Sequence, residues 1–281
     1  MPNKLLAMKT NKFIRLATIT SVLLMVSATS KSNDFNASAI EKSVVEISDS
    51  LFAGQFEVSN HLYKIFLKDL EQNKQLNDLA VAQIDSNGWI RKPVYIESLV
   101  HEYHNSEKYE KYPVVNISFE GAKLFCAWLT KKYNSFPDKN YEGVEFFLPN
   151  EKEWILAARG KNESVIYSTG KSLINEKGMQ MANYRRTDIP LGLDVAATAA
   201  ATIDTGEDVE VGEILAPVES YWKNESGIYN LSGNAAEMIS VKGILKGGSF
   251  KDESEQLKLD AKQSYKAPAS YIGFRYFMRK K

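Results

Sequence analysis

The sequence predicts an α+β fold with few helices, short strands and much irregular chain. Three observations predict it. Capping residues precede three stretches whose apolar residues recur at helical spacing. Apolar runs only a few residues long, bounded by Gly, Pro, Asn or Ser, are more numerous than those stretches. Neither a Pro/Ser-rich linker nor an internal repeat divides the apolar-rich part of the chain.

Residues 1–28 read as a signal peptide: Lys4, Lys9, Lys12 and Arg15 precede an apolar run from Leu16 to Ala28, and Thr29, Ser30, Lys31 and Ser32 follow. Val26 and Ala28 are small enough for a signal-peptidase site, and the run of about 13 residues falls short of the roughly 20 that a membrane span needs. The expected location is therefore extracytoplasmic, periplasmic or secreted, with no stable membrane insertion after cleavage. No cysteine follows the run, which excludes lipoprotein anchoring at this point. Residues 29–44 form a polar N-terminal segment, and residues 45–281 one continuous domain.

Within that domain Ser59 or Asn60 caps a helix with Leu62, Ile65, Phe66 and Leu70 at helical spacing. Ser118 caps a second with Ala122, Phe125, Cys126 and Leu129 on one face. Asn150 opens a third, with Glu153 completing a capping box and Trp154, Ala157 and Ala158 following. Strands are expected at Val114–Ile117, Val144–Leu148, Ile244–Lys246 and Phe274–Phe277. The stretch Leu191–Thr202, rich in Ala and Thr, cannot anchor a core and reads as an exposed loop insertion.

Composition narrows the function. The 281 residues carry 35 basic and 35 acidic side chains, so no charge excess asks for a nucleic acid. The single cysteine, Cys126, forms no intrachain disulfide, and its place in F-C-A-W-L makes it a small core hydrophobe. His101 and His104 in H-E-Y-H have the wrong spacing for the helical two-histidine zinc motif, and no G-x-S-x-G elbow marks a serine hydrolase. Two oxygen-rich clusters stand out. Y-N-L-S-G-N-A-A-E offers Asn230 and Glu237 side chains, with Gly233 and Ala235 placed for backbone carbonyls. Asn183, in A-N-Y, joins Asp208 and Glu210 in the second. Such mixed oxygens suit Ca²⁺, although Asn, Gly and Asp are also ordinary turn formers.

The order of motifs carries a resemblance. Q-F-E-V-S-N (55–60), Y-P-V-V-N-I-S-F-E-G-A (112–122), F-C-A-W-L (125–129), F-L-P-N-E-K-E-W-I-L-A-A-R-G (147–160), A-N-Y (182–184), A-P-V-E-S-Y (216–221), G-I-Y-N-L-S-G-N-A-A-E-M (227–238), K-G-G-S-F (246–250) and I-G-F-R (272–275) follow in sequence. The succession resembles the formylglycine-generating-enzyme, or sulfatase-modifying factor, family over roughly residues 50–279. The resemblance implies a compact α+β fold of that type, also described as C-type-lectin-like. It implies one structural Ca²⁺ at Asn230, Gly233, Ala235 and Glu237, and another at Asn183, Tyr184, Asp208 and Glu210, with Tyr184 and Glu210 offering backbone carbonyls. Catalytic members hold copper through two cysteines upstream of G-F-R; here Glu255–Gln263 reads E-Q-L-K-L-D-A-K-Q, and the W-E-W pattern becomes Ala236, Glu237 and Met238. No copper is expected. Three scattered histidines do not reproduce the iron triad of the family's sulfoxide synthases. Arg275 in G-F-R reads as structural, its fork satisfying buried carbonyls.

The expected function is an exported, non-catalytic interaction or scaffold module, calcium-stabilised, whose partner is a protein or cell-envelope component, as in cell-envelope, gliding or secretion assemblies. The alternative is a formylglycine-generating oxidase or related metal-dependent oxidoreductase acting on a protein cysteine. A carbohydrate-binding lectin is a third reading, from fold analogy alone.

Overall fold

The computed structural model describes residues 35–90, 97–186 and 214–280. The signal sequence, the Ala/Thr-rich stretch 191–202, Asp208 and Glu210 lie outside the described residues. The three expected helices form where their caps stand. Ser59 Oγ accepts from the N–H of Leu62 and opens α2 (Asn60–Gln72). Ser118 Oγ accepts from the N–H of Gly121 and opens α5 (Phe119–Ser135). Asn150 and Glu153 complete both bonds of the capping box at the start of α6 (Glu151–Arg159). On α2 the face turned inward is Tyr63, Phe66 and Leu70, while Leu62 and Ile65 sit at its margin.

Packing starts earlier than the composition suggests. Asn36 caps a short helix, α1 (Ala37–Lys42), which places Ala37 and Ile40 in the core, and β1 (Val44–Ser48) follows. The stretch taken as a polar segment up to residue 44 is thus joined to the domain from Phe35 onward. From residue 35 onward its polar residues are the cap and outer face of one short amphipathic helix. Two short helices, α3 (Leu76–Ala82) and α4 (Glu97–Glu102), complete the helical set among the described residues.

The strands make two four-stranded sheets. The first has the order β1-β2-β8-β3, with β2 at Leu51–Gly54, β3 at Glu145–Phe147 and β8 at Phe277–Arg279, all antiparallel. The second has the order β6-β5-β4-β7, with β4 at Ala236–Met238, β5 at Ile244–Lys246, β6 at Gln263–Ser264 and β7 at Ile272–Gly273; β4 and β7 run parallel. The outer edge of β3 meets α5 rather than another strand. Thr130 Oγ1 takes the N–H of Phe146 at 2.8 Å and reaches its carbonyl at 3.3 Å, and the Asn134 amide pairs with both backbone groups of Val144. Those two side chains, one helical turn apart, stand in for a neighbouring strand.

Two expected strands are displaced. Val114–Ile117 is buried but joins no ladder, because Asn116 takes a positive φ of 59° that breaks the extended run. The Phe274–Phe277 run splits into β7 before it and β8 at its end. Between them the carbonyls of Phe274 and Tyr276 accept from Val58 and Gly54 instead. The largest core cluster joins α2, α5 and the inner faces of both sheets through stacked and edge-on rings of Tyr63, Phe66, Phe125 and Phe274. No helix among the described residues is long and apolar enough to cross a membrane.

Candidate metal centre

The segment Asn230–Glu237 turns through two non-glycine residues in the left-handed region, Asn230 (φ 54°) and Asn234 (φ 61°), with Gly233 (φ 88°) between them. Gly233 is required twice over. Its φ disfavours a side chain, and a Cβ there would stand 2.3 Å from the carbonyl oxygen of Asn183. That approach brings Asn183, of the second oxygen-rich cluster, against the turn of the first. The Asn183 carbonyl accepts from the N–H of Asn234 at 2.8 Å, and Asn183 Nδ2 donates to Asn234 Oδ1 at 3.1 Å and to the Ile214 carbonyl at 2.9 Å. Tyr184 is buried beside it, its carbonyl accepting from Gln180 Nε2 at 3.2 Å.

Asn234, which the sequence did not single out, is the hub. Oδ1 accepts from Asn183 and from the N–H of Ala216, while Nδ2 donates to the Ala216 carbonyl and, at 2.8 Å, to Glu57 Oε1. Glu57 comes from the Q-F-E-V-S-N segment and is 2% exposed. Its Oε2 accepts from Asn230 Nδ2 at 3.0 Å, and Oε1 also receives the N–H of Ala235 at 3.3 Å. Burial pushes the Glu57 carboxyl up to about 8, with the Arg275 guanidinium opposing and Glu237 adding to the rise. Asn230 Nδ2 reaches the Val218 carbonyl as well, at 3.1 Å, whereas Asn230 Oδ1 is buried without a partner among the described residues.

Glu237 is differently placed. Arg275, fully buried, directs Nε at Glu237 Oε1 from 2.7 Å, with Nη2 against the same oxygen. Trp154 Nε1, from α6, donates to Oε2 at 2.7 Å. Nη1 donates to the carbonyl of Gly54 at 3.0 Å and Nη2 also to that of Tyr229 at 2.8 Å, the carbonyl-satisfying role expected of Arg275, now with an ion pair added.

The other singled-out residues lie apart. Cys126 is sealed on the inner face of α5, where burial raises its thiol far above the usual range. His101 is exposed at the end of α4, while His104 is buried with Nδ1 3.0 Å from Asn60 Oδ1. Among the described residues no three His, Cys, Asp or Glu side chains converge, so a cation here would lean on amide and carbonyl oxygens. Asn230 fits such an ion through its unpartnered buried oxygen. Glu237 fits less well, because both its oxygens already receive N–H donors. The stretch Glu255–Gln263 borders a polar cleft of about 530 Å³ lined by Arg185, Lys251, Asp252, Glu253, Lys262 and Gln263, among others.

A family model described as the sulfatase-modifying factor enzyme 1-like domain matches residues 23–280. The formylglycine-generating enzyme of Bos taurus is 30% identical over 129 residues, 46% of this chain and 27% of that protein. That of Thermomonospora curvata is 30% identical over 126 residues, 45% and 32% of the two chains. The inactive Cα-formylglycine-generating enzyme 2 of Bos taurus is 28% identical over 158 residues, 53% of this chain and 42% of that protein. The matched stretch therefore spans under half the length of each of these relatives. Among solved structures, CarF aligns with a TM-score of 0.52 at 20% identity, covering 82% of this chain and 86% of its own. Treponema denticola variable protein 1 aligns with a TM-score of 0.51 at 17% identity, covering 84% and 91%. Both similarities support the α+β fold.

Proposed function

The chain belongs to the sulfatase-modifying factor enzyme 1-like domain family, and from that premise we propose that it is an exported, non-catalytic interaction or scaffold module stabilised by calcium. The observation that carries the reading is the chemistry of Glu255–Gln263. Where the family's catalytic members place two thiolates, this stretch has none, and the chain's only cysteine is a core residue on α5. Without thiolates a soft Cu(I) ion has no ligand set there. A relative whose name marks it inactive supports the same reading.

The cleft at this place has the means to bind. It presents Arg185, Lys251 and Lys262 beside Asp252 and Glu253, a mixed lining that suits a protein or cell-envelope partner rather than a uniformly charged polymer such as nucleic acid. Calcium, when bound, supplies the positive charge that draws oxygens of separate segments together. Asn230, with the carbonyls of Gly233 and Ala235, would hold one ion; Asn183, Tyr184, Asp208 and Glu210 would hold another. The residues' own contribution is a rigid turn. Asn234 fixes Asn183, Ala216 and Glu57 in one network, and Arg275 locks β4 to the carbonyls of Gly54 and Tyr229.

Elemental analysis of the purified chain, with a turnover assay on a cysteine-containing peptide, tests this. One or two equivalents of calcium, no copper or iron, and no conversion of cysteine to formylglycine are expected. Stoichiometric copper or iron with turnover would replace the reading by an oxidase. Export is checked by N-terminal sequencing of the mature protein, expected to begin at Thr29.

A further inference from the structure

We propose that Glu57, rather than Glu237, is the carboxylate that balances a calcium ion at the Asn230 turn. The proposal rests on the calcium reading above and reassigns its anionic ligand. Three observations carry it. First, Glu237 is spent: Arg275 and Trp154 occupy its two oxygens, and its charge is neutralised by the one guanidinium buried with it. Second, Glu57 is a second buried carboxylate with no cation in contact: its contacts are the amides of Asn230 and Asn234 and the N–H of Ala235, and the Arg275 guanidinium that acts on it from farther off is already paired with Glu237. A buried charge without a counter-charge is costly, and an added cation removes the cost.

The third observation points to a ligand directly. Asn230 is 5% exposed, its nitrogen touches Glu57 Oε2, and the oxygen of the same amide has no partner among the described residues. A carboxylate and an unmatched amide oxygen within one side chain's reach are the mixed hard donors that Ca²⁺ accepts. A proton on Glu57 would meet the charge requirement alone. It would leave the Asn230 oxygen unmatched, and it would itself need an acceptor where both carboxyl oxygens face N–H donors.

The experiment titrates CaCl2 into the full metal-free chain by calorimetry and follows the melting temperature with and without the ion, for wild type, Glu57→Gln, Asn230→Ala and Glu237→Gln. Expected results are a loss of one calcium equivalent, or at least a tenfold weakening of one site, in Glu57→Gln and in Asn230→Ala. Glu237→Gln should keep its calcium affinity within about threefold while melting lower in every buffer. If wild type binds no calcium, this proposal and the calcium reading both fall. If wild type binds calcium and Glu57→Gln binds it equally, or if only Glu237→Gln loses an equivalent, the assignment to Glu57 alone falls. Should Glu57→Gln not fold, Glu237→Gln decides: retained calcium binding supports the assignment to Glu57, and loss of an equivalent overturns it.

Discussion

Asn234 Nδ2 donates to Glu57 Oε1 across 2.8 Å, although 177 residues separate the two in sequence. This contact ties the start of the domain to the turn before β4, and Asn234 extends it to Asn183 and Ala216. Asn234→Ala would strip partners from a buried carboxylate and a buried amide while leaving a non-glycine residue at positive φ. A stability loss of about 3 kcal/mol or more is expected in urea unfolding. A loss below about 1 kcal/mol would remove Asn234 from its place as hub.

The Glu237–Arg275 pair gives a second prediction. Both side chains are almost completely buried, so removing one charge strands the other. Arg275→Met and Glu237→Gln should each cost about 3–5 kcal/mol, and the double variant should cost less than the two losses added together. Strict additivity in a double-mutant cycle would show that the pair is not coupled.

His104 makes stability depend on pH. Burial, with a smaller contribution from the positive charge of Lys64, lowers its pKa from 6.5 to about 3, so the folded chain keeps it neutral. The unfolded chain takes up a proton below pH 6.5 and the folded chain does not. The contribution is therefore complete above pH 6.5 and is lost as pH falls from there toward 3, at about 1.4 kcal/mol per unit. Unfolding free energies of wild type minus His104→Gln, measured from pH 7.5 to 4.5, should trace this slope. A flat difference would place the His104 ring in contact with solvent.

The sealed edge of β3 supplies a fourth test. Thr130→Val keeps the shape of the side chain but takes the acceptor from the N–H of Phe146, at an expected cost of about 1–3 kcal/mol. Unchanged stability would mean that β3 finds its partners elsewhere. Asn134→Leu should act likewise on Val144, because the edge lies buried under α5 and its backbone groups have no water to turn to.

What could be read from the sequence was whatever rests on local chemistry. Ser59, Ser118 and Asn150 announce their helices because a cap is a contact between residues two or three apart. The turn around Gly233 was legible because its glycine and asparagines mark positive φ. Glu57 and Asn234 stood in quoted motifs, yet their pairing is set by the whole fold, and nothing local separates a buried glutamate from an exposed one. The same holds for Glu237. The oxygen-rich cluster and the resemblance point to it as a ligand, while the N–H donors against its two oxygens come from α6 and from Arg275, which no local pattern shows. Strands of two or three residues, such as β6 and β7, are too short for alternation to register. The helix at Ala37–Lys42 was hidden because one turn offers two core residues among polar ones.

The position of β8 has a consequence for how the protein folds. Residues 277–279 lie between β2 and β3, so the first sheet has no centre until a strand more than two hundred residues downstream of β2 is in place. Arg275, four residues upstream of Arg279, closes the ion pair with Glu237 at the same late moment. A nascent chain can assemble α2 and α5, but β1 and β2 wait for a strand that arrives more than two hundred residues behind them, across a long loop closure. The first sheet therefore closes through a long-range pairing, and that pairing, rather than the local helices, sets the pace of folding.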